Sequence, residues 1–265
     1  MNAQDSFEAF NRRQGLGRVR DPYPRLAEMR SRGPIQRMSV QEMLGPEMTP
    51  SGNLRMDLHV ALSYEAVAEV LRDGERFTSS GYALSMGPVM GRTILEMDEP
   101  EHGRYRRLLQ GAFSRKALER WERELVTPVV HGLIDRFAAR GSADLVRELT
   151  FPFPVSVIAG MIGLPEEDLA DFHRWAVELI SVSFNPGAGL EASKKLAALF
   201  SRVLAERRRA PQDDLMSVLA LAEIEGTRLT DEEIVSFCRL LAPAGAETTY
   251  RSSSNLVFGL LTHPD

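Results

Sequence analysis

Leu241-Ala242-Pro243-Ala244-Gly245-Ala246-Glu247-Thr248-Thr249 sets a carboxylate and two hydroxyls beside a run of small residues, inside a stretch patterned as a long helix. A carboxylate next to a hydroxyl can hold or pass a proton, and Ala244 with Gly245 leaves a shallow place where another body can approach the backbone. Pro243 has no amide hydrogen for Arg239 and its ring crowds that carbonyl, so a kink or widened turn is expected. Thr248 and Thr249 can donate back to the carbonyls of Ala244 and Gly245, which loosens the same turn. Residue types alone leave two readings open. The small residues serve a close helix crossing with Glu247 in solvent, or a ligand lies against them.

His102 and Arg106 form the second candidate pair. Spaced four apart in a helical stretch, they project from one face, where an imidazole and a guanidinium fork suit an anionic group. Arg104 and Arg107 lie on other faces. Phosphate or carboxylate recognition and ordinary surface pairing to Glu99 or Glu101 both fit this arrangement.

The elements that must position these residues are mostly helices. Thr230, with Glu233 three residues later, reads as a capping box that starts a helix reaching about His263, with Ile234, Phe237, Leu241, Ala244 and Thr248 on one face. At 1.5 Å per residue it would be about 50 Å long, enough to cross the middle of a large fold. Before it, helices are expected from Asp98, from Arg115 or Lys116 to about Ala139, over Phe151 to Ile162, from Pro165 to Ser183, from Leu190 to Arg209, and from Asp213-Asp214 to about Leu221. Ser63 caps a helix through Leu71 whose apolar face is Val67, Val70 and Leu71, and a short helix follows Asp21-Pro22. Ile35 to Val40 and Arg55 to Val60 are strand candidates for a small sheet. Between Phe77 and Met97, Gly81, Gly87, Pro88 and Gly91 defeat any long element, while Tyr82, Leu84, Met86, Val89, Met90, Ile94 and Leu95 keep the segment apolar; it covers the core or lines an apolar pocket. The reading is a mainly α chain forming one continuous domain over residues 1–265.

Composition narrows the function class. The 265 residues are 43% hydrophobic with a net charge of −5, and the basic residues are interspersed with acids, so no nucleic-acid footprint is present. No apolar run reaches the roughly 20 residues of a membrane span, and the amino end lacks a secretion signal, so a cytoplasmic protein is expected. The single cysteine, Cys238, rules out an internal disulfide and reads as a buried, inert thiol. His-Glu-x-x-His, Gly-x-Ser-x-Gly, a phosphate loop and a dinucleotide glycine fingerprint are all absent from the sequence.

Ala244-Gly245-Ala246-Glu247-Thr248-Thr249 resembles the central-helix signature of cytochrome P450 monooxygenases. His102-x-x-x-Arg106, after Met97-Asp98-Glu99-Pro100-Glu101, resembles the helix that holds the haem propionates in soluble bacterial members. The likeness extends to Tyr64–Phe77, to Gly111-Ala112-Phe113-Ser114 and to Asp213-Asp214-Leu215-Met216-Ser217. It implies a P450-like helical fold with a small amino-terminal sheet, incomplete at the carboxyl end, and heme b (iron protoporphyrin IX) as cofactor. His102 and Arg106 would bind the propionates, with Leu241, Ala244 and Gly245 against the macrocycle. Thr248 would be the oxygen-activating threonine and Glu247 the acid that links solvent to its proton relay. Tyr82, Leu84, Met86, Ile94 and Leu95, with Leu179, Val182 and Phe184, would line the pocket together with Ala244 and Thr248.

The resemblance also implies an iron-ligating cysteine loop far beyond the central helix, and the sequence stops at Pro264-Asp265 before any such loop. Cys238 lies on the same helix as Thr248 and cannot approach from the opposite face. The expectation is an amino-terminal portion of a monomeric monooxygenase acting on a small lipophilic substrate, with a ferredoxin or flavodoxin as electron donor. Arg104, Arg107, Arg115 and Lys116 could help dock that donor. The rival reading is a helical interaction or regulatory protein that keeps the scaffold without catalysis.

Overall fold

The computed structural model describes residues 21, 23–38, 58–180, 182, 185–224 and 226–263. Helix α1 (Tyr23–Ser31) leads into strand β1 (Ile35–Met38), which pairs antiparallel with β2 (Leu58–Ala61) in the register Ile35 to Ala61 and Met38 to Leu58. Both expected strands are therefore present and paired; Val40 and Arg55 lie outside the described residues. Ser63 then caps α2 (Tyr64–Arg72), its hydroxyl accepting from the Ala66 amide. The Val67 and Leu71 side of α2 does not pack inward: no residue of the helix is buried, and Leu71 is 80% exposed.

The 77–97 segment holds two single-turn helices, α3 (Tyr82–Ser85) and α4 (Gly87–Met90), and a 3-10 turn at Ile94–Glu96. It is followed by α5 (Glu101–Ala112) and α6 (Arg115–Trp121). The expected helix from Arg115 to Ala139 is divided, because a π turn at Glu122–Val126 separates α6 from α7 (Thr127–Ala138). A second π turn, Val146–Thr150, precedes α8 (Pro152–Ile162). Next come α9 (Leu169–Ile180), α10 (Pro186–Arg209) and α11 (Leu215–Leu221). A two-residue hairpin, β3 (Glu223–Ile224) and β4 (Thr227–Arg228), precedes α12 (Asp231–Thr262).

Local chemistry sets most of these boundaries. Thr230 and Glu233 form the reciprocal capping box at the start of α12. Asn185 caps α10 through the Ala188 amide, so that helix begins four residues before the expected Leu190. Asp214 caps α11 through the Ser217 amide. The expected loosening at Pro243 does not break α12, which stays α-helical throughout with no π turn.

The core lies where α8, α9 and α10 pack around the amino-terminal two-thirds of α12, with α11 beneath α10 and α5. Phe172, Ala176 and Leu179 recur on one face of α9 and are fully buried, as are Leu196, Phe200, Val203 and Ile234 on the neighbouring helices. A buried bracket ties this core together. Arg207 donates from Nε to the Asp214 carboxylate and from a terminal nitrogen to Gly163 O at 2.7 Å. Gly163 ends α8 with φ of 80°, and a side chain there would run into that same carboxylate.

Candidate active site

Along α12 the face that begins buried at Ile234 reaches open surface at Ala244 and Thr248, both exposed, with Leu241 half-buried between. The Thr248 hydroxyl donates to Ala244 O at 2.6 Å, the back-bond expected from sequence. Its hydrogen is thereby committed, and the oxygen lone pairs are left to accept. Glu247, one residue earlier, receives Arg251 Nε at 3.1 Å and a terminal nitrogen at 3.0 Å on the same carboxylate oxygen. Arg251 was missed in the sequence, although its i+4 spacing from Glu247 is a legible signal for such a pair.

Gly245 has a different task from its neighbours. A Cβ built on it would stand 2.7 Å from Cδ1 of Ile158, so its missing side chain admits α8 against α12. The close-crossing reading thus holds for Gly245 on the side that faces α8. Ala244, one residue away and exposed, keeps the open side.

On α5, His102 Nδ1 lies 3.1 Å from Glu99 Oε1, and this contact, followed by the Gly103 amide, holds the Glu99 carboxyl below its ordinary range. Glu101 is engaged by Arg92 at 2.5 Å. Arg106 is exposed and has no hydrogen bond or ion pair to any described residue, so neither candidate acid neutralises it.

The apolar 77–97 segment divides. Val89, Met90 and Met97 cover the core, whereas Tyr82, Leu84 and Leu95 face outward, Leu84 at 79% exposure; Met86 and Ile94 are half-buried. Leu179 is a core side chain with no exposed surface, because it completes the inward face of α9. Val182 packs over Gly189, where a Cβ would come within 2.6 Å of it. Phe184 lies outside the described residues. A groove of about 420 Å³ opens elsewhere, between the end of α5 and α6, lined by Lys116, Arg120, Arg123, Glu119 and Asp213.

Cys238 is fully buried, and burial, with a smaller contribution from Asp214, pushes its thiol up to about 12. A thiol held neutral in this way is neither nucleophile nor metal ligand. Among the described residues no group of three or more His, Cys, Asp or Glu side chains converges to hold a metal ion, and no helix is long and apolar enough to cross a membrane.

Comparison with known proteins decides the architecture. The solved structure of cytochrome P450 CYP109Q5 from Chondromyces apiculatus superposes with a TM-score of 0.78 at 31% identity, over 92% of this chain and 59% of that one. The chain has a cytochrome P450-like fold. CYP109E1 from Bacillus megaterium, solved with testosterone, gives 0.76 at 30% identity, over 92% of this chain and 60% of that one. The cytochrome P450 monooxygenase PikC of Streptomyces venezuelae is 32% identical over 254 residues, which are 92% of this chain and 57% of PikC. The chain therefore spans little more than half the length of such P450 relatives. No protein-family model matches it.

Two features of the site stand without a partner among the described residues. Ala244 and Thr248 leave an uncovered helix face, and Arg106 is a cation with no partner among the described residues. Cys238, sealed in the core, is not open to a metal.

Proposed function

We propose that this chain is the amino-terminal portion of a bacterial-type cytochrome P450, a haem-thiolate monooxygenase whose cysteine ligand is supplied by sequence beyond residue 265. Bound heme b would supply reduction of dioxygen and transfer of one oxygen atom to a small lipophilic substrate. The observation that carries this reading is the open Ala244 and Thr248 face with an acid beside it, on a helix whose other positions from Glu233 to Tyr250, Thr249 excepted, are buried or half-buried.

Each residue has a task within that reading. Arg106 and His102 hold propionate charge, Arg106 with its whole guanidinium still to be satisfied. Ala244 leaves room above the helix. Thr248, its hydrogen given to Ala244 O, accepts a hydrogen bond at the open face and orients a proton donor there. Glu247 has one oxygen held by Arg251 and keeps the other to exchange protons with solvent. The apolar 82–95 segment covers a lipophilic substrate, a size class that includes the testosterone bound by CYP109E1. Arg104, Arg107 and Lys116 form the basic surface for a ferredoxin or flavodoxin; Arg115 is already engaged by Glu119 at 2.7 Å.

Thr248→Ala in the haem-loaded full-length enzyme tests the assignment. Haem content is expected to stay near that of the parent while reducing equivalents drain to hydrogen peroxide or water. Unchanged coupling of electrons to product counts against it, and a folded full-length protein that takes up no haem favours the non-catalytic scaffold.

A further inference from the structure

Two arginines in the core region are treated in opposite ways. Arg207, 6% exposed, has the Asp214 carboxylate and Gly163 O as partners. Arg239, on α12, is half-buried and has no carboxylate within ion-pair distance among the described residues. Its partners are neutral oxygens at long range: Val89 O at 3.3 Å, Ser193 Oγ at 3.3 Å and Ser236 Oγ at 3.1 Å. Its Nε is buried and has no partner. Of five N–H groups three are used, and the two left over are the number a carboxylate takes in a bidentate pair. Burial pulls the Arg239 pKa down, and Glu232 offsets this only through space. A desolvated cation of this kind is normally matched by an anion.

The surroundings say what sort of anion fits. Arg239 lies beneath the bend of the apolar segment. Gly91 turns there with φ of 76°, and a Cβ on it would come within 2.6 Å of the guanidinium. Val89 and Met90 flank the bend and are buried. The Val89 carbonyl, near the end of α4, is shared between Arg239 and the Ser193 hydroxyl. A carboxylate makes a stronger charge-assisted bond than that carbonyl and can take the guanidinium from it. Arg239 and Thr248 are nine residues apart, about 13 Å along the axis and half a turn round it. Arg239 therefore lies on the opposite side of the helix axis from Thr248. A molecule held by its acid head there meets the oxygen-handling face only if it is long enough to pass round the helix, and then through a carbon remote from that head.

We propose that Arg239 is the receptor for the carboxylate of a lipophilic acid seated beneath the 82–95 segment; this substrate class rests on the monooxygenase reading. Calorimetric titration of the full chain with dodecanoate and with 1-dodecanol tests it. The acid is expected to bind at least about tenfold more tightly than the alcohol, and Arg239→Gln to shrink that ratio below about threefold while Arg239→Lys keeps part of it. A ratio below threefold in the parent, or a tenfold ratio surviving in a folded Arg239→Gln, overturns the proposal. Hydrogen exchange at residues 87–91 of the unsubstituted protein gives a second reading. Dodecanoate is expected to alter it and dodecanol not, and identical exchange with both also overturns the proposal. These probes require no haem, so failure of the monooxygenase reading shows separately, as absent haem absorbance in the full-length enzyme.

Discussion

Arg251 grips a single oxygen of Glu247 with two nitrogens, at 3.0 and 3.1 Å, one helical turn beyond the acid it restrains. Both side chains are about one-third exposed, so solvent screens the pair, and its stability contribution is about 0.5 kcal/mol. Arg251→Leu is therefore expected to shift the denaturation midpoint little while leaving Glu247 free to turn. In the haem-loaded enzyme the expected consequence is a changed solvent isotope effect on turnover. A stability loss above about 2 kcal/mol would show that Arg251 acts on packing instead.

The contact between Gly245 and Ile158 makes a graded prediction. Alanine at 245 brings Cβ to 2.7 Å from the far end of a flexible side chain, and its better helix propensity of about 1 kcal/mol offsets the crowding. Gly245→Ala is expected to be close to neutral in urea denaturation. Gly245→Val is expected to cost about 1–3 kcal/mol and to be partly rescued by Ile158→Ala. Equal losses for the single and double variants would remove Ile158 as the cause.

His173, beside Ser156 at 3.4 Å, has its pKa lowered by burial and secondarily by Arg136. As pH falls through the ordinary value of 6.5, the unfolded chain takes up a proton that the folded chain refuses. Stability therefore drops with acidification below that value and is regained above it. Subtracting the stability profile of His173→Gln from that of the parent should isolate this slope. Parallel profiles between pH 5 and 7 would contradict it.

Arg106 separates two roles by the state in which it is tested. Exposed and without a partner among the described residues, it adds nothing to the chain alone, and Arg106→Ala is expected to change its stability by less than about 0.5 kcal/mol. In the full-length enzyme the same substitution is expected to speed haem loss to an apoprotein acceptor. Unchanged haem transfer would return Arg106 to the ordinary surface.

What was legible in the sequence was local. Ser63, Asp214, Thr230 and Glu233 cap their helices because the acceptor lies within three residues of the amide it serves, and the Thr248 back-bond is equally short in range. The π turn at Glu122–Val126 left no such mark. Leu125 within it packs where a Gly160 side chain would stand, so the partner that accompanies the extra residue lies on another helix. Leu179 carried the apolar label of a pocket wall and of a core residue alike, and the packing of α9 assigned it to the core. Arg239 looked like any helix-surface arginine until the 82–95 segment and α10 closed around it.

No residue after Tyr250 on α12 is buried, and Leu256, Phe258, Leu260 and Leu261 are each at least 64% exposed. Beyond Ser254, whose hydroxyl lies 2.7 Å from Thr150 Oγ1, that end rests on hydrogen bonds within its own helix among the described residues, and a short helical stretch with little tertiary support frays readily in water. Amide protons of residues 256–262 should consequently trade with deuterium through local opening, long before those of the segment from Ile234 to Tyr250, whose release waits on disruption of the core.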